Sequence, residues 1–345
     1  MLRKAAVIFL ILIVASGCQN PFQRDKYQVI YSMEKDNASK KQNNKHNYTI
    51  GIVPKLKGIP YFNAVEDGAR EAAKELGVNV LYEGPQTADS DQQVKVIQDL
   101  IDKRVDVIAV SANDPQKLLP ILITAKQQGI RVITWDSDTL AGGREFFINM
   151  VEPEMLGRHM MDTLAWNTDE KGEFAIMTGA PSASNLNEWI KWIKIQQQQY
   201  YPLMKLAEIA PTDDDSQKAY EVAKQLLKAH PHLAGIIGNS SVGPPAAAKA
   251  VKDTGKAGKV KVVGLSSPNV MRSYLHEGSA QIVTLWSPKK LGYLTVVLAE
   301  NLLDGIPPHD GQEIDNVGNI RVNGDIVIMG EPLDFTKENV DQYDF

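Results

Sequence analysis

Val105-Asp106-Val107-Ile108-Ala109-Val110-Ser111-Ala112-Asn113-Asp114-Pro115 is the stretch whose reading decides the fold. The run from Val105 to Val110 is apolar except at Asp106, the pattern of a strand covered on both faces. Polar residues follow, and Pro115 suits the first turn of a helix. That helix is expected over 115–128, with Gly129 as its stop and Pro120 as a point of kinking or restart. Arg131 to Trp135 then reads as the next strand. A strand, a helix and a second strand of this texture form a parallel unit with the helix packed on the sheet.

The same unit recurs in both directions along the chain. Upstream, the pattern predicts strands over 48–53 and 78–82 and helices over 63–76 and 91–103. In the first helix, Val65, Ala69, Ala72, Ala73 and Leu76 share one face, and Gly77 ends it. A short strand over 146–149 closes this series. A second series starts with a helix over 153–167 and continues with strands over 174–177, 206–209, 234–237, 261–265 and 281–285. Its further helices are expected over 187–200, 216–230, 244–254 and 289–303. Two series imply an α/β protein of two doubly wound parallel-sheet lobes. Ligands of such folds bind beyond the carboxyl ends of the strands, so the residues just after each strand are the candidates for function.

Composition agrees with that size. The 345 residues, 43% hydrophobic and 23% charged, exceed one small core and suit two domains. A formal net charge of −5 offers no basic excess for neutralising phosphates, which disfavours nucleic acid as a partner. One cysteine excludes an intrachain disulfide and a cysteine zinc cluster. The six histidines are scattered; His230 and His232 flank Pro231 at a helix end and read as exposed residues rather than a metal site. No metal or cofactor is expected.

The N-terminus addresses the compartment. Arg3 and Lys4 precede an apolar run, Ala5 to Val14, of signal-peptide length and too short to span a bilayer. Ala15-Ser16-Gly17-Cys18 resembles the lipobox of bacterial lipoproteins, with Ala15 where Leu is most usual. The resemblance implies cleavage after residue 17 and acylation of Cys18, and two acyl chains anchor stably. Residues 18–47 are polar and read as a flexible tether. The expected location is extracytoplasmic, on a lipid anchor, with a Gram-positive surface favoured over a periplasm.

Several post-strand segments carry candidate ligand contacts. Lys55 offers a donor-only cation, and Tyr61 and Phe62 offer flat faces suited to the apolar side of a sugar ring or to core packing. Asn113 and Asp114 can cap a helix or touch a ligand. Asp136 and Asp138 place two carboxylates within three residues at the mouth of a sheet, and each can accept from hydroxyls in charge-assisted bonds worth about 1.5–3 kcal/mol. That is polyol-recognition chemistry; a glycosidase pair would need carboxylates facing across a scissile bond. In the second lobe the candidates are Ser184 to Trp189, Asn239 to Ala248, Ser266 to Asn269, and Trp286. No nucleophile elbow, phosphate loop or spaced metal-ligand motif is present, so an enzyme is disfavoured.

These residues resemble the type 1 periplasmic sugar-binding proteins, the ribose-binding-protein fold, over about residues 48–345. More narrowly, Ile52-Val53-Pro54-Lys55-Leu56, Thr134 to Thr139, Ser267 to Met271 and Phe335 to Phe345 resemble the branch of autoinducer-2-binding and rhamnose-binding proteins. The resemblance implies ligand contacts at Lys55, Asp136, Pro245, Ala247 and Trp286. Where the autoinducer-2 receptors carry Asp-Gln, this chain has Asn185-Leu186; Asn185 can bond a hydroxyl, and Leu186 supplies an apolar wall that suits a deoxyhexose methyl. The family's frequent Asp after the strand ending at Leu265 is Ser266. The resemblance further implies three interlobe crossings, near Met150, Trp286 and Ile314, with one lobe formed by 48–150 plus 287–313 and the other by 151–286 plus 314–345. The implied function is a lipid-anchored substrate-binding protein of an ABC importer that takes a small sugar or autoinducer-2 and hands it to a permease. A sensory receptor for a chemoreceptor or kinase uses the same cleft and is the alternative, ahead of an extracellular glycosidase; a repressor of this fold would need an N-terminal helix-turn-helix.

Overall fold

The first sheet of this computed structural model, which describes residues 47–345, has seven strands in the order β13-β14-β5-β4-β3-β1-β2. They are β1 (Thr49–Val53), β2 (Asn79–Tyr82), β3 (Val107–Val110), β4 (Arg131–Trp135), β5 (Phe147–Asn149), β13 (Arg321–Asn323) and β14 (Ile326–Ile328). All pair in parallel except β13, the antiparallel edge. The second sheet has the order β15-β10-β9-β8-β6-β7. It comprises β6 (Gly172–Thr178), β7 (Met204–Pro211), β8 (Leu233–Gly238), β9 (Lys261–Leu265), β10 (Ile282–Leu285) and the antiparallel edge β15 (Leu333–Phe335). A two-stranded ribbon, β11 (Glu313–Ile314) with β12 (Gly318–Asn319), lies between α9 and β13 in the chain. The expected signal segment 1–17, Cys18 and nearly all of the 18–47 tether lie outside the described residues.

Helices alternate with the strands as the apolar periodicity predicts. The first lobe carries α1 (Pro60–Leu76), α2 (Ser90–Asp102), α3 (Pro115–Gln127) and α9 (Pro288–Leu303). The second carries α4 (Pro153–Asn167), α5 (Ser184–Tyr200), α6 (Ser216–Ala229), α7 (Gly243–Asp253) and α8 (Pro268–Glu277). Local chemistry sets their starts. Asp89, Asp114 and Asp215 each accept from backbone amides of the following turn, and Pro occupies an opening position in six of the nine. Pro120 does not interrupt α3.

Two helices differ from expectation in a way that matters. α1 starts at Pro60 rather than Asn63, which puts Tyr61 and Phe62 in its first turn, buried at 6% and 2% exposure. α5 starts at Ser184 rather than Asn187, which puts Asn185 and Leu186 at a helix start facing inward. α8 was not expected at all; at ten residues its apolar face is only Met271 and Leu275, too few for a visible period.

The expected lobe boundary at Ile314 is corrected by the topology. Residues 321–328 extend the first sheet through β14 against β5, and only from Leu333 does the chain join the second sheet. The third crossing is therefore at 329–332, not near 314. The other two lie between β5 and α4 and between β10 and α9.

Helix α9 returns to the first lobe and packs on α1 at unusually close range. A methyl group built on Gly68 would stand 1.8 Å from the Lys289 carbonyl oxygen, and one on Gly292 would stand 1.9 Å from that of Val65. Each helix thus presents a glycine to the other's backbone, a fit that no side chain permits.

Candidate ligand-binding site

The loops beyond the carboxyl ends of the two sheets face each other across a cavity lined from both sides. The first lobe contributes Lys55 and Ile59 from the β1–α1 loop, Tyr61 and Phe62 from α1, and Asp136 from the end of β4. The second contributes Asn185, Leu186 and Trp189 from α5, Asp214 after β7, Asn239 to Ser241 after β8, Leu265, and Leu285 and Trp286 at the second crossing.

Asp136 is the polar centre of the first-lobe wall. It is 3% exposed and sits at φ +60°, a left-handed conformation that Asp tolerates better than most residues. Its Oδ1 accepts from the Tyr61 hydroxyl at 3.2 Å and its Oδ2 from Ser111 at 2.5 Å. Lys55 Nζ stands 3.4 Å from the same Oδ2, forming a buried ion pair, and 3.5 Å from Asn185 Oδ1 across the lobes. Burial, and next the charge of Asp136, push the Tyr61 phenol well above its ordinary range, so it remains a neutral hydroxyl. The aromatic wall is a chain of ring contacts, edge-to-face around Tyr61 and tilted between the two tryptophans. Tyr61 meets Phe62 at 5.1 Å and Trp286 at 6.2 Å between centroids, and Trp286 meets Trp189 at 5.9 Å.

Asp214 is the residue that sequence reading missed. It is 5% exposed, lies at φ +54°, and faces the cavity from the second lobe. Burial raises its carboxyl above the usual carboxylate range, while the Lys55 charge acts against that shift. Gly179 makes the room: a methyl group there would stand 2.3 Å from Asp214 Oδ1. Asp215 alone is needed to cap α6, so the excess acid in Asp213-Asp214-Asp215 was the available signal.

Of the expected site residues, Lys55, Tyr61, Phe62, Asp136, Asn185 and Trp286 converge on the cavity, with Leu186 as an apolar wall. Four do not. Asp138 is turned away: Arg144 grips both its oxygens at 2.8 Å, and Thr134 and the Thr139 amide bind Oδ1 as well. Asn113 stands behind Lys55, donating to its carbonyl at 2.7 Å and accepting through its own backbone carbonyl from Ser182 of the other lobe. Asp114 is the cap of α3. Pro245 lines a separate groove on the far side of Tyr61 and Ser241, together with Ser266. Ala247 is fully buried on α7 and does not line this cavity. Small residues near a helix start carry no directional signal of their own, so the sequence could not separate core from cleft there.

The lobes are in contact around the cavity. Ser184 donates to the Asp138 carbonyl at 3.0 Å and lies 3.3 Å from Ser137 Oγ, while Ser182 reaches Asn113 at 2.7 Å. Among the described residues no group of His, Cys, Asp and Glu is placed to hold a metal ion, and no helix is long and apolar enough to cross a membrane.

Two lobes with parallel sheets, three crossings and a cavity lined from both lobes define a bilobal solute-binding protein. Residues 50–307 match the periplasmic binding protein domain family, and the chain belongs to that family. Within it, the chain is 24% identical to the ribose import binding protein of Bacillus subtilis (strain 168), over 76% of this chain and 84% of that protein. Its fold is similar to that of an ABC transporter solute-binding protein from Clostridium phytofermentas with bound L-rhamnose. That likeness has a TM-score of 0.82 and 29% identity, over 86% of this chain and 98% of the other. It is likewise similar to LsrB from Clostridium saccharobutylicum in complex with AI-2, with a TM-score of 0.81 and 25% identity over 86% and 100% of the two chains. The relatives are binding proteins, and this chain is a substrate-binding protein rather than an enzyme.

Proposed function

We propose that this protein is the lipid-anchored substrate-binding component of an ABC importer, and that it captures a small neutral sugar or sugar-like signal between its lobes. The observation that carries the reading is the cavity itself. It pairs hydrogen-bonding groups (Lys55, Asp136, Asn185, Asp214, Asn239) with an apolar wall of Leu186, Leu265, Leu285 and four aromatic residues. A ring with hydroxyls on its rim and C–H groups on its face matches that lining.

The similarity to rhamnose- and AI-2-bound proteins supports a ligand of that kind, and Leu186 on the wall favours a sugar with a methyl group, such as rhamnose. Micromolar binding corresponds to about −8 kcal/mol, which several charge-assisted bonds and aromatic burial supply after the cost of ordering. Calorimetric titration of the purified protein with L-rhamnose and with autoinducer-2 tests the reading. Binding of either supports it and names the ligand, whereas failure to bind either of them or D-ribose at millimolar concentration overturns it. Acylation of Cys18, abolished in Cys18→Ser, tests the anchor.

A further inference from the structure

The two walls of the cavity offer opposite hydrogen-bonding character. On the first-lobe side, Asp136 is already committed to Tyr61, Ser111 and Lys55, which leaves the Lys55 ammonium as the principal group facing a ligand, and it can only donate. On the second-lobe side, Asp214 Oδ2 and Asn239 Oδ1 are buried without a hydrogen-bond partner among the described residues. Both are acceptors. The Asn239 amide is fixed in that sense because its Nδ2 donates to the Leu186 carbonyl at 3.1 Å, a group that can only accept. The Ser240 hydroxyl and the Ala180 amide lie beside the Asp214 carboxylate and favour its charged form, but the hydroxyl makes no hydrogen bond of good geometry with it.

Buried acceptors left unpaired are costly, and the fold goes out of its way to keep this one. Asp214 holds a left-handed backbone conformation, and Gly179 gives up its side chain to admit the carboxylate. A stabilising alternative, an apolar residue at 214, would need neither device. Such an arrangement is explained when a ligand supplies the missing donors.

We infer that Asp214 is a specificity-determining residue of the cavity. It binds a hydroxyl donor of the ligand, orients the ligand with its acceptor side toward Lys55, and rejects sugars that bring a carboxylate to the second-lobe wall. An anionic group there would face the Asp214 carboxylate and the Asn239 carbonyl oxygen, while the nearby Lys55 is already paired with Asp136. This inference rests on the sugar-binding reading proposed above, and it narrows that reading to a neutral ligand with at least one hydroxyl presented to the second lobe.

The test uses whichever of L-rhamnose, D-ribose and AI-2 the protein binds most tightly, with analogues each lacking one hydroxyl, titrated into the wild type and Asp214→Asn. Asn tolerates the left-handed conformation, so the backbone is preserved. The expected result has two parts. Asp214→Asn weakens binding of the parent ligand about ten-fold or more, the loss of one charge-assisted bond. One analogue, weaker than its parent on the wild type by a similar factor, binds the variant as well as the parent does. That coupling to a single hydroxyl is a signature that mere loss of packing does not produce. Equal affinity of the wild type and Asp214→Asn, or a variant that penalises every analogue as the wild type does, overturns the role of Asp214 and leaves the sugar-binding reading standing. Wild-type binding of a uronate as tightly as its neutral counterpart does the same. Failure of the wild type to bind any of the three ligands at millimolar concentration overturns both.

Discussion

The indole Nε1 of Trp286 donates to the Tyr61 hydroxyl at 3.1 Å. Trp286 follows β10 at the second crossing, and Tyr61 opens the first helix of the first lobe, so a crossing segment is bonded directly to the cavity wall. The Tyr61 hydroxyl passes the interaction on to Asp136. Crossing segment, cavity wall and charged centre thereby meet in one chain of three hydrogen-bonded residues.

Removing that hydroxyl strands its neighbours. Tyr61→Phe leaves the Trp286 N–H and one oxygen of Asp136 buried with a partner lost. The expected cost is about 1–3 kcal/mol of unfolding free energy, read as a lower denaturant midpoint at unchanged slope. An unchanged midpoint would show that water or another group replaces the hydroxyl.

The Lys55–Asp136 pair is predicted to behave as a unit. Breaking a buried ion pair from one side costs about 3–5 kcal/mol, because the remaining charge stays buried. Lys55→Met and Asp136→Asn should each destabilise the protein and weaken ligand binding about ten-fold or more. The double variant should be markedly more stable than the sum of the two predicts. Additive losses in denaturation experiments would mean the two charges do not interact.

Asp138 should separate cleanly from Asp136. Its oxygens are held by Arg144, which also pairs with Asp325 in the turn before β14. Asp138→Asn is expected to lower the melting temperature while leaving ligand affinity within about two-fold, since no ligand-facing group is lost. A ten-fold loss of affinity in a folded variant would return Asp138 to the binding surface.

The glycines between α1 and α9 give a packing prediction. Gly292→Ala drives a methyl into the Val65 carbonyl, and overpacking of this kind costs about 1–3 kcal/mol. Stability by denaturation should fall by that amount, while ligand affinity in the folded protein is little changed. Gly68→Ala should do the same from the other side.

A pH dependence follows from His159 on α4. Its hydrogen bond to Asp334 at 2.8 Å, the larger cause, raises its pKa above 6.5 despite partial burial. Burial works against ionisation of Asp334, but the bonds from His159 and Thr284 still hold it below the usual range. A histidine whose folded pKa is raised contributes stability that is full below pH 6.5 and is lost as pH rises through the folded value. The carboxylate's share is present above pH 3.8 and is lost as pH falls through its lowered value. The wild type should therefore exceed His159→Gln in melting temperature most at mildly acidic pH and least at alkaline pH. A constant difference would remove the charge of His159 from the account.

Periodicity made the architecture legible: the Val105–Val110 run, the Ala-rich face after Val65 and the glycine stops each carry a long-range pattern. What escaped was short or antiparallel. β13 to β15 are three residues each, below the length at which alternation can be counted, and so the last crossing was placed too early. In the site, Lys55, Asp136 and Trp286 were legible because they follow strands. Asp138 was misread for the same reason, since proximity in sequence says nothing about which side of a turn a carboxylate takes. Arg144, six residues on, decided it. Asp214 was hidden in an acidic run that resembles an ordinary helix cap.

The placement of the last strands has a consequence for how the molecule acquires its structure. The first sheet takes β14 from residues 326–328, and the second takes β15 from 333–335. Neither lobe corresponds to a continuous piece of chain, and no single cut yields either one intact. The pairing of β14 with β5 joins residues that flank strands β6 to β10 in the chain. Such high contact order slows folding, and it means that a nascent chain leaving the ribosome holds two unfinished sheets until its final residues are free.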